Sequence, residues 1–271
     1  MKKALLVGIN KYPDPENELH GCINDITDMA DFLVKSRSFQ KSNIRLLTDH
    51  RATKAGIVTR LKWLVKGAKK GDQILFHYSG HGAQMASRAG SGEIDRLDEV
   101  ICPYNFDFTD DTALKDKEFA KLFAGLPAGV EFIWVSDSCH SADLSKGFKK
   151  PGIFKFRNFK MPADIAWRNQ SVTPNHVDLN TLGKSTAGAK AKSKLALISG
   201  CKSEQESADA VFDNRANGAL TYFLLTSLKN DPQKKLTLVK LVADINTKMK
   251  AEYTQEPQLE GSKILMNKPF F

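Results

Sequence analysis

The sequence has few cysteines, no long apolar run and no excess of acidic residues. Its cysteines are far apart and include no CxxC pair; they are Cys22, Cys102, Cys139 and Cys201. This spacing disfavours a zinc site and predicts reduced thiols of a cytosolic protein. No stretch approaches the roughly 20 apolar residues that a membrane helix needs, and the apolar run in MKKALLVGIN is too short for a secretory signal. We therefore expect a cytoplasmic protein with no membrane partner.

Basic residues outnumber acidic ones, 40 against 31, which gives a net charge of +9 over 271 residues. Such an excess can attract nucleic acid or anionic membrane, but here it is spread from Lys2 to Lys268. We expect a solvated basic surface and no specific nucleic-acid partner. The 41% of apolar residues is ordinary for a globular enzyme, and the length suits one domain.

Apolar runs alternate with helical patterns along the chain. Runs typical of strands occupy residues 3–9, 44–48, 73–78, 131–135, 195–199 and 264–266. Apolar residues three and four apart predict helices over residues 23–34, 54–65, 116–123, 218–228 and 236–249. This order predicts an α/β sandwich. Because most of the strands lack period-two alternation, we expect helices on both faces of the sheet.

Chemically useful side chains follow the predicted strands directly. His81 comes after the third strand between two glycines, and Cys139 comes after the fourth among small polar residues. The carboxyl ends of parallel strands meet at one edge of a sheet, where ligands bind. A catalytic thiol needs a nearby imidazole and backbone N–H donors for the developing oxyanion. Either residue alone is more often structural, but the pair predicts a nucleophile and its proton partner.

Four sequence blocks resemble the caspase-like peptidases, and metacaspases most closely. The blocks are GCIND at 21–25, HYSGHG at 77–82, DSCHS at 137–141, and ISGC at 198–201 followed by Glu204, Glu206 and Ala208. The resemblance implies a cysteine endopeptidase with a caspase-like three-layer α/β/α sandwich and a mostly parallel, largely six-stranded sheet. It also implies a single domain, with a large-subunit-like part at about 1–143, a basic insert at about 144–194 and a small-subunit-like part at about 195–271.

The same resemblance implies roles for particular residues. Cys139 and His81 would form the catalytic dyad, and the N–H groups of Gly82 and Cys139 would form the oxyanion hole. The pocket for the residue before the cut would be lined by Asp137, Asp25, Cys22 and Ser79. Two carboxylates in one pocket favour Arg or Lys by charge and bidentate hydrogen bonds. We therefore expect protein or peptide substrates with Arg or Lys before the cut, in contrast to the acidic preference of animal caspases.

No cofactor is required for this chemistry, but many metacaspases use calcium as an activator. Partial matches to their calcium ligands stand at Asp98, Asp116 and Asp143, and calcium needs six to eight oxygen ligands. Lys115 and Lys117 flank Asp116, where the family more often has acids. Calcium activation is thus an open expectation, with ordinary surface carboxylates as the competing interpretation.

The insert after the nucleophile is basic and rich in phenylalanine. Residues 146–160 interleave six basic residues with four phenylalanines, a pattern that can stack on bases or lie on an anionic membrane. In an enzyme that cuts after basic residues, the simpler interpretation is a pocket cover or a site of self-cleavage. Residues 184–194 predict a flexible basic linker, and self-cleavage is expected within residues 141–194.

Three classes of function remain open on the sequence alone. The first is an active Arg/Lys-directed monomeric protease, with a legumain-like or other related cysteine peptidase as the alternative within the enzyme class. The second is a catalytically idle caspase-like scaffold, which the intact Cys139 and His81 disfavour. The third is a nucleic-acid-binding module that uses the basic insert.

Overall fold

A computed structural model describes residues 1–88, 94–139, 153–159, 161–165, 194–202 and 205–271. The central sheet has six strands in the order β12-β9-β7-β3-β1-β2. Their bounds are β1 Lys2–Gly8, β2 Ile44–Thr48, β3 Gln73–Ser79, β7 Glu131–Asp137, β9 Ala196–Ser199 and β12 Gln258–Gly261. Every pair of neighbours is parallel except β12 and β9, which are antiparallel.

Helices cover both faces of this sheet. Their bounds are α1 Cys22–Arg37, α2 Lys54–Val65, α3 Asp116–Phe123, α4 Ala219–Lys229, α5 Leu238–Met249 and α6 Lys263–Met266. Leu5 and Val7 of β1 pack in a core cluster with apolar residues of α2 and α3. The alternate residues Ala4 and Leu6 pack in a second cluster with α1, α4 and α5. Because successive side chains of a strand point to opposite faces, two cores result, and the architecture is a three-layer α/β/α sandwich.

Two small sheets lie beside the central one. The first joins β4 Gly82–Arg88, β5 Ile94–Ile101 and β6 Leu114–Lys115 in that order. The second has the order β11-β10-β8, formed by β8 Ile153–Phe156, β10 Ala208–Phe212 and β11 Arg215–Gly218. β4 begins directly after His81, and β8 comes from the basic insert. Both small sheets therefore have residues near the carboxyl ends of β3 and β7.

The structure confirms the predicted fold class but corrects one strand. Residues 264–266 lie in α6, and the sixth strand of the sheet is β12. A run of three apolar residues does not distinguish strand from helix. Here Ser262 accepts a hydrogen bond from the N–H of Leu265 and caps the helix. Among the helices described, none has both the length and the apolar character to cross a membrane.

Candidate active site

His81 is held between β3 and β4 by hydrogen bonds to its backbone. Its N–H donates to the Tyr12 hydroxyl at 3.0 Å, and its carbonyl accepts from the Tyr78 hydroxyl at 2.7 Å. The N–H of Cys102 donates to the same carbonyl at 3.0 Å. The preceding residue must be glycine, because a Cβ at Gly80 would lie 2.7 Å from the Tyr78 hydroxyl oxygen. The local sequence thus fixes His81 where the third strand ends.

The imidazole of His81 has one bonded and one unbonded nitrogen. Nε2 lies 2.7 Å from the carbonyl oxygen of Asn17. Since a carbonyl only accepts, Nε2 carries the proton, and the neutral ring keeps its lone pair on Nδ1. Nδ1 is buried and has no hydrogen bond to any described residue. Burial lowers the pKa of His81 to about 4, although the backbone groups of Asn17 and Arg157 partly oppose that shift.

Cys139 follows β7 and is completely buried. Its Sγ accepts a hydrogen bond from the N–H of Ser207 and lies 3.4 Å from the Ser207 carbonyl oxygen. Ser207 immediately precedes β10, so the sulfur lies between the end of the central sheet and the second small sheet. All four cysteines are free thiols.

The carbonyl oxygen of Arg157 receives two backbone N–H groups at the sheet edge. The N–H of Gly82 lies 3.0 Å from it and the N–H of Cys139 lies 3.2 Å from it. These are the two donors that the family resemblance assigns to the oxyanion hole. Two converging N–H groups stabilise negative charge on an oxygen, so the arrangement can polarise a carbonyl beside the Cys139 thiol.

The side chain of Arg157 fills a buried pocket with three carboxylates. Its Nη2 lies 2.8 Å from Asp25 and 3.0 Å from Asp209, and its Nη1 lies 3.2 Å from Asp137. Nη1 also donates to the Ser79 hydroxyl at 2.8 Å. None of these ion-paired side chains is exposed. We call Asp25, Asp137, Asp209 and Ser79 the basic-residue pocket.

Each carboxylate of the basic-residue pocket is also held by the protein. The helix-start residue Thr221 donates its N–H and its hydroxyl to Asp137 at 2.9 and 2.7 Å. The N–H groups of His20 and Gly21 donate to Asp209 at 2.7 and 3.0 Å. Because buried charges need several partners to offset desolvation, these bonds stabilise Asp137 and Asp209 in addition to their ion pairs with Arg157.

Two further groups hold Asp25 in the pocket. Asn217 and the Gly218 N–H each donate to its Oδ1 at 2.9 Å. A Cβ at Gly218 would overlap both the Asp137 carboxylate and the Arg157 guanidinium. Glycine at this position therefore leaves the room that a basic side chain occupies.

The charges in the pocket shift the pKa values of its members. Burial raises the pKa of Asp25 to about 6, and Asp137 adds to that shift while the Arg157 guanidinium opposes it. Burial alone would lower the pKa of Arg157, but the carboxylates, led by Asp137, outweigh it and raise that pKa above its ordinary value. Burial also raises the pKa of the Cys22 thiol, so Cys22 contributes a neutral group.

The chain bends at Arg157, and its backbone is hydrogen-bonded on both sides of this residue. Before it, β8 pairs antiparallel with β10, with Phe156 opposite Ala208. The N–H of Arg157 donates to the Ser207 carbonyl at 3.0 Å, and after it the N–H of Phe159 donates to the Gly82 carbonyl at 3.0 Å. We call residues 153–159 the cleft segment. Strand addition of this kind is a common way to bind an extended peptide.

Five of the residues that the sequence predicted for catalysis and substrate binding contact Arg157, namely Gly82, Cys139, Ser79, Asp25 and Asp137. The structure adds Asp209, Ser207 and Asn17, which sequence reasoning missed. Of these, Asp209 had the clearest sequence signal, because it is a charged residue inside an otherwise small and apolar run, ADAVF at 208–212. Asn17 and Ser207 act through backbone groups, for which side-chain identity gives no signal.

The predicted calcium ligands are not gathered into a site by the described residues. Asp98 lies 3.5 Å from the ammonium groups of both Lys115 and Lys117. Lys115 also lies 2.7 Å from Asp110. Nothing is described of the Asp116 side chain, and Asp143 lies outside the described residues. Within the described part of the chain, no group of three acidic, His or Cys side chains is placed to hold a metal ion.

Comparisons with known proteins identify the family. The model of the metacaspase peptidase C14 domain matches residues 2–146. The chain is 34% identical to Metacaspase-1B of Neurospora crassa, over 97% of this chain and 67% of that protein. It is also 34% identical to Metacaspase-1 of Coccidioides immitis, over 97% of this chain and 62% of that protein. The chain thus spans about two thirds of the length of these relatives.

Solved structures give the same result at the level of the fold. Protein GSU0716 of Geobacter sulfurreducens superposes with a TM-score of 0.71 at 26% identity, over 100% of this chain and 98% of that one. Caspase-1 from Spodoptera frugiperda superposes with a TM-score of 0.59 at 10% identity, over 95% and 85% of the two chains. The latter likeness concerns the fold alone. The chain belongs to the metacaspase family, peptidase C14, and is a cysteine-type endopeptidase.

Proposed function

We propose that this metacaspase cleaves peptide bonds after Arg or Lys, with Cys139 as nucleophile and His81 as proton carrier. The observation that carries the proposal is the binding of Arg157. Its guanidinium lies among Asp25, Asp137 and Asp209, while its carbonyl oxygen receives the N–H groups of Gly82 and Cys139. This is the arrangement that a substrate residue before the cut would need.

The chemistry follows from the atoms at the sheet edge. The thiol proton of Cys139 moves to the free Nδ1 of His81, and the thiolate attacks the carbonyl carbon. The Gly82 and Cys139 N–H groups bind the oxyanion. Nδ1 then gives the proton to the leaving amine, and a water molecule, activated by the same nitrogen, hydrolyses the thioester. The Asn17 carbonyl keeps the ring oriented by accepting from Nε2 throughout.

The specificity follows from charge and hydrogen bonding in the pocket. A guanidinium is the better ligand because two of its nitrogens reach different carboxylates. A Lys ammonium would satisfy the charge with fewer bonds and bind less tightly. An Asp or Glu side chain would meet three carboxylates and be excluded. Since one chain supplies the dyad and the pocket, we also propose that the active species is a monomer acting on protein or peptide substrates.

Calcium activation is a separate proposal, which comes from the family resemblance. The two lysines beside Asp98 supply positive charge where the cation would bind. Calcium would have to displace these ammonium groups or bind elsewhere. Comparing turnover in added calcium and in a chelator tests the requirement directly.

The experiment that tests the proposed function measures hydrolysis of fluorogenic peptides ending in Arg, Lys, Asp or Asn, with calcium and without. We expect Arg to exceed Lys and no cleavage after Asp or Asn. The changes Cys139→Ala and His81→Ala should each lower turnover by at least about 10³-fold, because the dyad acts as one unit. His50→Ala, a surface histidine outside the site, is the matched control. Near-full activity in either dyad variant, with a normal melting curve, would contradict the assignment.

A further inference from the structure

Four aromatic rings surround the side chain of the residue that lies two positions after Arg157. The ring centroid of Phe159 is 5.4 Å from Tyr12, 5.5 Å from His81, 5.1 Å from Phe106 and 5.8 Å from Phe108. All four contacts are edge-on, with interplanar angles of 72–86°. Edge-to-face packing at these distances is the favoured geometry for aromatic pairs.

The rings that receive Phe159 are held by bonds that do not involve it. The Tyr12 hydroxyl accepts from the His81 N–H at 3.0 Å. Phe106 and Phe108 pack on each other at 4.6 Å in the connection between β5 and β6. Asp107 between them accepts from Thr109 at 3.0 and 2.6 Å and from the Thr112 hydroxyl at 2.5 Å. The surface that Phe159 contacts is therefore formed by residues outside the cleft segment.

The position of Phe159 is also set by its backbone. Its N–H donates to the carbonyl of Gly82, whose own N–H donates to the carbonyl of Arg157. Gly82 thus binds both the Arg157 carbonyl and the Phe159 N–H, which sets the position of Phe159 relative to the scissile carbonyl. A substrate bound in the same register would present its second side chain after the cut to Tyr12, Phe106 and Phe108.

We propose that Tyr12, Phe106 and Phe108 form a subsite that selects an aromatic side chain at the second position after the cut. This deepens the proposed function and rests on it, because the subsite has meaning only if the cleft segment lies as a substrate does. The preferred substrate is then a basic residue, any residue, and an aromatic residue in succession. An alanine at the third place leaves the rings facing water and loses the edge contacts.

A competition assay measures this preference in the wild-type protein. Two peptides, KFRNFK and KFRNAK, are mixed in equal amounts and their cleavage is followed by mass spectrometry. Both compete for the same free enzyme, so the ratio of their kcat/KM values does not depend on how much enzyme is blocked by its own cleft segment. We expect the phenylalanine peptide to be cut at least about tenfold faster, with KFRNYK close to it.

Variants assign the preference to the rings. Phe108→Ala should reduce the ratio of the two kcat/KM values to about threefold or less, because the aromatic side chain of the peptide loses one of the rings that it contacts. Trp63→Ala is the matched control: it removes another half-buried ring, one that packs near Lys3 at the start of β1, and should leave the ratio unchanged.

The outcomes separate the subsite from the function it rests on. Equal cleavage of the two peptides after Arg would overturn the subsite and leave Arg-directed cleavage intact. Failure to cut either peptide would overturn the proposed function. In that case anisotropy with labelled peptides on Cys139→Ala still decides the subsite, and equal affinity for the phenylalanine and alanine peptides would remove it as a binding site too.

Discussion

At the residue scale, the basic-residue pocket combines three charges with a dense set of fixed hydrogen bonds. Asp137 and Asp25 serve the structure as well as the ligand, since the former holds the start of α4 and the latter holds Gly218. Among the described residues, the Asp209 carboxylate is bound by backbone N–H groups of the loop before α1 and by Arg157. Asp209 is therefore the acid whose charge can be tested with the least structural damage.

Asp209→Asn, made in the Arg157→Ala background so that the protein's own arginine does not compete for the pocket, should weaken binding of an Arg peptide while the thiol stays reactive. Removing one buried charge-assisted contact costs about 1.5–3 kcal/mol, so kcat/KM for an Arg peptide should fall by roughly 10- to 100-fold, mainly through KM. Alkylation of Cys139 by iodoacetamide should proceed at the same rate as in Arg157→Ala alone. Asp213→Asn, on the exposed turn between β10 and β11, is the control. Unchanged KM in Asp209→Asn would remove this carboxylate from the recognition of Arg.

Asp137→Ala should likewise abolish Arg cleavage while Cys139 still reacts with a small alkylating agent. This variant also removes the acceptor of both Thr221 hydrogen bonds. A melting curve must therefore accompany the activity measurement, and unchanged turnover of an Arg peptide would contradict the prediction.

The pKa of Asp25 is about 6 with the Arg157 guanidinium in the pocket, and that positive charge lowers it. In Arg157→Ala, where no cation fills the pocket, Asp25 should take up a proton at a higher pH, and binding of an Arg peptide must then release that proton. We expect KM of this variant to rise as the pH falls toward about 6 and to level off below it. Adding Asp25→Asn, which is neutral at every pH, should give a high KM without this pH dependence. A KM of Arg157→Ala that stays flat from about pH 7.5 to 5 would contradict the assignment.

Residue type and sequence neighbours were enough to identify some site residues. Residues that reach the site only through long-range contacts in the fold were missed. His81 and Cys139 stand out because a glycine-flanked His and a Cys among small residues each follow a strand. Asp209 joins the pocket only because β10 folds back against the loop at His20, 189 residues earlier in the chain. No local pattern encodes such a long-range contact.

At the element scale, the cleft segment turns part of the basic insert into the third strand of a small sheet. The insert has no clear hydrophobic periodicity, and the strands of both small sheets were missed for the same reason. They are short, and pairing with neighbours stabilises them more than their own propensity. The long central strands and helices were predicted almost at their observed bounds, since burial on both faces leaves continuous apolar runs.

The cleft segment makes Arg157–Asn158 the bond at which the protein should cut itself. Incubation of the wild type should give two fragments, residues 1–157 and 158–271, identified by mass and by sequencing from Asn158. Cys139→Ala should remain intact, Arg157→Lys should be cut more slowly, and Arg157→Gln should not be cut there. Residues 184–193 of the linker at 184–194, where self-cleavage was also expected, lie outside the described residues.

The bond does not have to be cut for the enzyme to work. An intact wild-type chain in a preparation that cleaves Arg peptides would show that self-processing is not required. Cuts only at other basic residues between 141 and 194 would show that the position of Arg157 in the cleft does not select the bond.

At the scale of the whole molecule, Arg157 both stabilises the fold and occupies the pocket that a substrate side chain would enter. Arg157 neutralises carboxylates contributed by α1, β7 and β10, and so it links three elements that are far apart in the chain. The same side chain closes the basic-residue pocket to any other ligand. Tethered segments compete at effective concentrations in the millimolar range, so substrates in solution must displace it.

Arg157→Ala should therefore raise activity and lower stability at the same time. With the pocket open, kcat/KM for Arg peptides should rise at least about tenfold. Loss of the partner leaves three carboxylates uncompensated, which costs about 3–5 kcal/mol for a buried pair and lowers Tm by roughly 5–10 °C. Agmatine, a small guanidinium compound, should restore much of the lost Tm and inhibit turnover, because it replaces the missing cation in the same place. Arg51→Ala, at an exposed position between β2 and α2, should change neither quantity. A variant at Arg157 that melts like the wild type and gains no activity would show that this side chain neither blocks the pocket nor joins its walls.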